Sequence, residues 1–107
     1  MKNPMGNMGN LLKQAQAMQA QMAKVQEETS SKTVTGTAGG GSVTVTATGA
    51  MELVSIVIDP EVVKSGDVEM VQDLVLAASN DALKKAREMM AGAMKSATGG
   101  MNVPGMF

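Results

Sequence analysis

Cysteine, histidine, tryptophan and tyrosine are all missing from this 107-residue chain, and Phe107 is its one aromatic residue. Without thiolates or imidazoles there is no Ser-His-Asp or Cys-His arrangement, no zinc-type ligand cluster and no disulfide. Carboxylate pairs exist, Glu27 with Glu28 and Asp59 with Glu61. They fall at a helix end and at a turn, where solvated charge is the ordinary reading. The inventory points away from an enzyme, a metal protein or a cofactor carrier. A charge imbalance is missing too: nine Lys and Arg against ten Asp and Glu leave a net charge of -1. Any nucleic-acid role therefore has to rest on a local basic patch. There is no 18-residue apolar run, and Met1-Lys2-Asn3-Pro4 leads into Gly and Asn, not into a short apolar core. These features predict a soluble protein kept in a reducing cytoplasm.

What is present is aliphatic and soft. The core has to be built from Val, Leu, Ile, Ala and twelve Met, and Met fills space well but specifies weakly. A chain of this length makes one domain, and it buries only roughly 60 to 70% of its unfolded surface. That shortfall predicts a homodimer.

The organising stretch is Ser42 to Ile58, the one long run with an apolar period of two. It predicts a β-hairpin. In the first arm Val43, Val45 and Ala47 share one face, with Ser42, Thr44, Thr46 and Thr48 on the other. In the second arm Val54, Ile56 and Ile58 take one face while Leu53 and Val57 take the opposite one around Ser55. A strand apolar on both sides needs two covers, and an isolated hairpin is marginal in water. A second copy of the chain is the expected second cover, with Leu53, Val54, Ile56 and Val57 at the dimer interface.

Ahead of the hairpin, Pro4, Gly6 and Gly9 predict a flexible arm, and Asn10 a helix N-cap. A helix is expected from about Leu11 to Thr29, with Leu11, Ala15, Met18, Met22, Val25 and Thr29 as its buried or paired seam and Leu12 alongside. Lys13 and Lys24, eleven residues apart, return to nearly the same side of it. Thr33 to Thr37 alternates again and predicts a short edge strand. Gly39-Gly40-Gly41 reads as a mobile connector, because no Lys, Ser or Thr follows at the spacing of a phosphate-binding loop. After the hairpin, Asp59-Pro60 stops the strand.

A second helix is expected to begin at a cap supplied by Ser65 or Asp67 and to run to about Lys95. Its seam is Val68, Val71, Val75, Ala78, Ala82, Ala86, Met89 and Ala93, whose small residues permit close approach. Its basic residues sit late, which suits the negative end of the helix dipole. That placement of Lys84, Lys85, Arg87 and Lys95 does not by itself explain why Lys84, Arg87 and Lys95 share one sector, into which Glu88 intrudes. Asn80-Asp81, disfavoured in a helix interior, predicts a side-chain hydrogen bond to the hairpin or to a neighbouring chain. The domain is read as residues 1–98, and the unpatterned 99–107 as a flexible tail.

Taken together, Asn10-Leu11-Leu12-Lys13-Gln14-Ala15-Gln16-Ala17-Met18, Ala38-Gly39-Gly40-Gly41, Ile58-Asp59-Pro60, Asp73-Leu74-Val75-Leu76-Ala77-Ala78-Ser79-Asn80-Asp81-Ala82 and the Pro-Gly-Met-Phe end resemble the YbaB/EbfC family. The resemblance spans nearly the whole chain. It implies an α+β protomer of order α-β-β-β-α, whose antiparallel three-stranded sheet forms a homodimer with projecting helices. It further implies a bacterial nucleoid-associated protein that binds duplex DNA through those helices, here the segments holding Lys13, Lys24, Lys84, Lys85 and Arg87. Lys95 joins this set through its shared sector. Members often carry more Lys in the first helix and basic residues in the second hairpin arm, where this chain has none. The contacts expected are mainly to phosphates, with modest sequence preference and no cofactor. The competing reading is a protein-interaction scaffold at DNA-repair or replication assemblies.

Overall fold

The computed structural model describes residues 4–98, with side chains from Met8 onward. The tail expected over 99–107 lies outside the described residues. The chain runs as helix α1 (Pro4–Ser30), strand β1 (Thr33–Ala38), a 3-10 turn (Gly39–Gly41), strands β2 (Val43–Thr48) and β3 (Leu53–Ile58), a short helix α2 (Pro60–Lys64) and helix α3 (Val68–Thr98). The class is α+β, with one open antiparallel sheet in the order β1-β2-β3.

Helix α1 begins earlier than the sequence suggested. The expected arm over Pro4, Gly6 and Gly9 is helical, and Asn10 lies inside the helix instead of capping it. Pro4 is tolerated there because a proline in the first turn gives up no intrahelical hydrogen bond and its fixed φ suits a helix. The run of Leu, Gln, Ala, Met and Lys after it carries high helix propensity. At the other end, Ser30 Oγ donates to the Gln26 carbonyl at 2.6 Å and Ser31 Oγ to that of Glu28 at 2.9 Å, while the Lys32 amide closes on the Thr29 carbonyl at 3.0 Å. These bonds satisfy last-turn carbonyls and turn the chain into β1.

The sheet separates its two faces by residue type. Val34, Gly36 and Ala38 of β1 lie opposite Ala47, Val45 and Val43 of β2. The alternate positions pair Thr33 with Thr48, Thr35 with Thr46 and Thr37 with Thr44, giving the other face a threonine surface. Helix α3 covers the Val/Ala face. Val43, Val45 and Ala47 are fully buried against Ala78, Ala82 and Ala86, so the core consists of small side chains meeting across a close helix-sheet contact. Gly36 makes that contact possible, since a Cβ there would run into the backbone of Ala78 and Ala82. The next residue ties the helix to the strand a second time: the Thr37 amide donates to Asp81 Oδ2 at 3.1 Å. Together the two contacts fix where α3 sits along β1.

Strand β3 carries a bulge. Ser55 pairs with Thr46 and Leu53 with Ala47, which leaves Val54 as the extra residue. The bulge resets the alternation: Leu53 lies opposite a residue of the α3-covered face, whereas Val57 lies opposite Thr44 on the threonine face. Leu53 and Val57 therefore do not share a face as the strict alternation suggested. The three glycines also differ from expectation, forming a defined 3-10 turn with φ of 63°, 67° and 97°, closed by the Ser42 side chain on the Gly39 carbonyl at 2.6 Å. After β3, Asp59 Oδ1 accepts from the Glu61 amide at 3.0 Å and starts α2, a helix absent from the expected order. Asp67 is the cap of α3, its Oδ1 accepting from the Met70 amide at 3.0 Å.

Helix α3 starts beside the Gly39 end of β1, passes Gly36 at Ala78 and Ala82, and continues beyond the start of β1, where it meets α1. The two helices leave the sheet together as an antiparallel arm. The Cα radius of gyration is 21.3 Å, against about 13 Å for a compact domain of roughly 100 residues.

Candidate nucleic-acid interface

The arm is where the predicted basic residues gather. Lys13 and Lys24 are exposed on α1, and Lys84, Lys85, Arg87 and Lys95 are exposed on α3. On α3 the buried stripe runs through Ala78, Ala82 and Ala86, and at 100° per residue Lys84, Arg87 and Lys95 fall on the far side of it. They face away from the sheet. Lys13 to Lys24 and Lys84 to Lys95 are both eleven-residue steps, about 16 Å at helical rise.

Lys85 is different from its neighbours. Its Nζ lies 3.1 Å from Asp81 Oδ2, the carboxylate that also accepts from the Thr37 amide. That backbone hydrogen bond, then Lys85, hold the Asp81 carboxyl below its ordinary range. Asp81 was expected to bond to the hairpin or to a neighbouring chain; the bond is made instead to β1, the strand before the hairpin, and it draws Lys85 the same way. The i,i+4 spacing of Asp81 and Lys85 was the sequence signal for this pair. Among the described residues the other ion pair joins Lys64 to Glu61 at 3.6 Å.

The acidic residues are placed elsewhere. Residues 4–30 and 84–98, which form the arm, hold six basic and three acidic side chains, a balance of +3. Residues 31–83, which form the sheet, α2 and the first part of α3, hold two basic and seven acidic, a balance of -5. A net charge of -1 conceals this division. It arises because the late basic residues of α3 belong to the part of the helix that has passed the sheet.

Two apolar surfaces are left open. On β3, Leu53, Val54, Ile56 and Val57 are 43 to 62% exposed, because α3 lies over β1 and β2 and scarcely reaches β3. On α1 only the later part of the expected seam is covered: Met18, Met22 and Val25 are half-buried and Thr29 is buried. Leu11 and Ala15 are exposed, and Met8, Leu11 and Leu12 retain 60 to 67% of their surface. Among the described residues no group of carboxylates has the arrangement of a metal site, and no helix is long and apolar enough to cross a membrane.

Residues 5–101 match the model of the YbaB/EbfC DNA-binding family. A nucleoid-associated protein of Clostridium novyi is 58% identical over 101 residues, covering 94% of this chain and 89% of that protein. One of Caldanaerobacter subterraneus is 56% identical, covering 94% and 91%. The crystal structure of an uncharacterized protein from Helicobacter pylori is similar with a TM-score of 0.60 and 28% identity, over 73% of this chain and 90% of that one.

Proposed function

The chain belongs to the YbaB/EbfC DNA-binding family, and from that premise we propose that it binds duplex DNA as a homodimer through the basic faces of its helical arms. The observation that carries this reading is the division of charge, +3 on the arm against -5 on the remainder. Lys13, Lys24, Lys84, Arg87 and Lys95 supply the phosphate contacts, with Lys85 contributing less because Asp81 holds it. Long flexible cations on helix surfaces neutralise phosphates without reading base edges, so sequence preference is modest. The relatives named as nucleoid-associated proteins support placing this chain on the bacterial nucleoid, with a role in nucleoid organisation and gene regulation.

Dimerisation rests on β3. An edge strand that exposes Leu53, Val54, Ile56 and Val57 is a liability unless another surface covers it. A second copy offering the same strand would cover both faces and set two arms at a fixed separation. Titration of unrelated duplexes across a salt series tests the reading. Neutralising roughly 4 to 8 phosphates predicts that the logarithm of the binding constant falls against the logarithm of salt with slope about -4 to -7. No binding at low salt would contradict it and favour the scaffold reading.

A further inference from the structure

The outer side of α3 changes sign along its length. At about 100° per residue, Glu69, Asp73, Leu76, Lys84 and Arg87 fall within one sector about 80° wide, on the opposite side of the helix from the buried Ala78, Ala82 and Ala86. All five are exposed, Leu76 by 62%. The acidic pair comes first and the basic pair last, and neither ion pair among the described residues uses any of these four charges. Glu88 stands at the flank of the sector, about 40° beyond Lys84. Position along the helix is balanced as well: Glu69 and Arg87 stand nine residues to either side of Ala78, Asp73 five before it and Lys84 six after.

We propose that this face of α3 pairs antiparallel with the same face of a second copy, about a two-fold axis at the level of Ala78. Reversing an identical helix about that axis sets Glu69 opposite Arg87 of the other copy and Asp73 opposite Lys84, offset by no more than about 1.5 Å at helical rise. Each pair occurs twice by symmetry. Leu76, two residues from the axis, covers its exposed surface against Leu76 of the other copy. A single surface ion pair contributes little, but opposed charges in one register around an apolar centre select the orientation, because parallel pairing sets like charges together. The contact is isologous, so it closes between two single protomers. A homodimer joined through β3 carries two such faces and continues the contact from dimer to dimer. Pairing also covers Lys84 and Arg87, so it competes with duplex DNA for that face, a consequence that alone rests on the DNA-binding reading.

Sedimentation of the full chain without DNA, at low salt and in about 1 M salt where the screening length is about 3 Å, tests the pairing with two variants that keep the net charge of -1. Glu69→Lys with Lys84→Glu makes every opposed pair a pair of like charges. Adding Asp73→Lys and Arg87→Glu makes every pair opposite again. The wild type should have a larger mass at low salt than at high salt, and the two-site variant should associate at least roughly tenfold more weakly. The four-site variant should associate like wild type, and because it contains both changes of the two-site variant, its recovery excludes misfolding as the cause of the loss. A wild-type mass equal at both salts would overturn the proposal, as would a two-site variant that associates like wild type or a four-site variant that does not recover. Val57→Asp separates this face from β3: it should keep the salt-dependent step, and losing that step would assign it to β3 and overturn the pairing of α3.

Discussion

The body of the protein and its arm are built on opposite terms. In the body, Val43, Val45 and Ala47 meet Ala78, Ala82 and Ala86 with no exposed surface left, and the approach is so close that residue 36 has room for no side chain. In the arm, Met18, Met22, Met89, Met90 and Met94 are only half-buried, and flexible thioethers replace close-fitting small residues. The body is acidic and the arm basic. One helix, α3, serves both, which shows how a chain of near-zero net charge can present a cationic surface.

The largest disturbance should come from the contact that defines the body. Gly36→Val places a branched side chain against the backbone of α3, and denaturant unfolding should show a loss of about 3 kcal/mol or more. A small loss would mean that helix and sheet are less tightly joined than the geometry requires. Val57→Asp should act on association instead. Val57 is 62% exposed in the protomer, so the fold tolerates the charge, but burying it unpaired in a dimer is costly. Sedimentation should show monomers, and a wild-type protein that is already monomeric at micromolar concentration would refute the proposed interface.

A smaller effect separates the two regions by pH. The Asp81 carboxyl, bonded to Thr37 and paired with Lys85, titrates below its unfolded value. Its contribution to stability is therefore present above about pH 4 and is lost as pH falls through the lowered folded value. Asp81→Asn should remove that part of the acid dependence while leaving arm packing unchanged. An acid limb identical to wild type would show that the bond contributes nothing.

Much of this architecture is legible in the residues because its causes are local. The alternation of Val43 to Thr48 gives a strand, the Ala spacing of α3 gives its buried stripe, and Ser65-Gly66-Asp67 marks its start, with the choice of Asp67 over Ser65 as cap made by the bond to the Met70 amide. What escaped reading depends on distant partners. Gly36 looks like an ordinary strand glycine until Ala78 and Ala82 are set against it. The bulge at Val54 is a matter of register with β2, so Leu53 could not be placed by alternation alone. The helical course of Pro4 to Asn10 was missed because the glycines there suggested an arm. The basic set was legible by position on the helices, but the tie between Lys85 and Asp81 also needed the Thr37 amide.

If the arm is the DNA-binding surface, position in the molecule and not total charge decides affinity. Two variants with equal net charge test it: Lys84→Glu with Arg87→Glu on the arm, and Lys32→Glu with Lys64→Glu on the body. Both are titrated against the same duplexes at low and physiological salt, with oligomeric state measured in parallel. The arm variant should lose affinity roughly tenfold or more for every duplex, while the body variant should bind within about twofold of wild type. Equal losses in the two variants, or an arm variant that binds like wild type, would contradict the account.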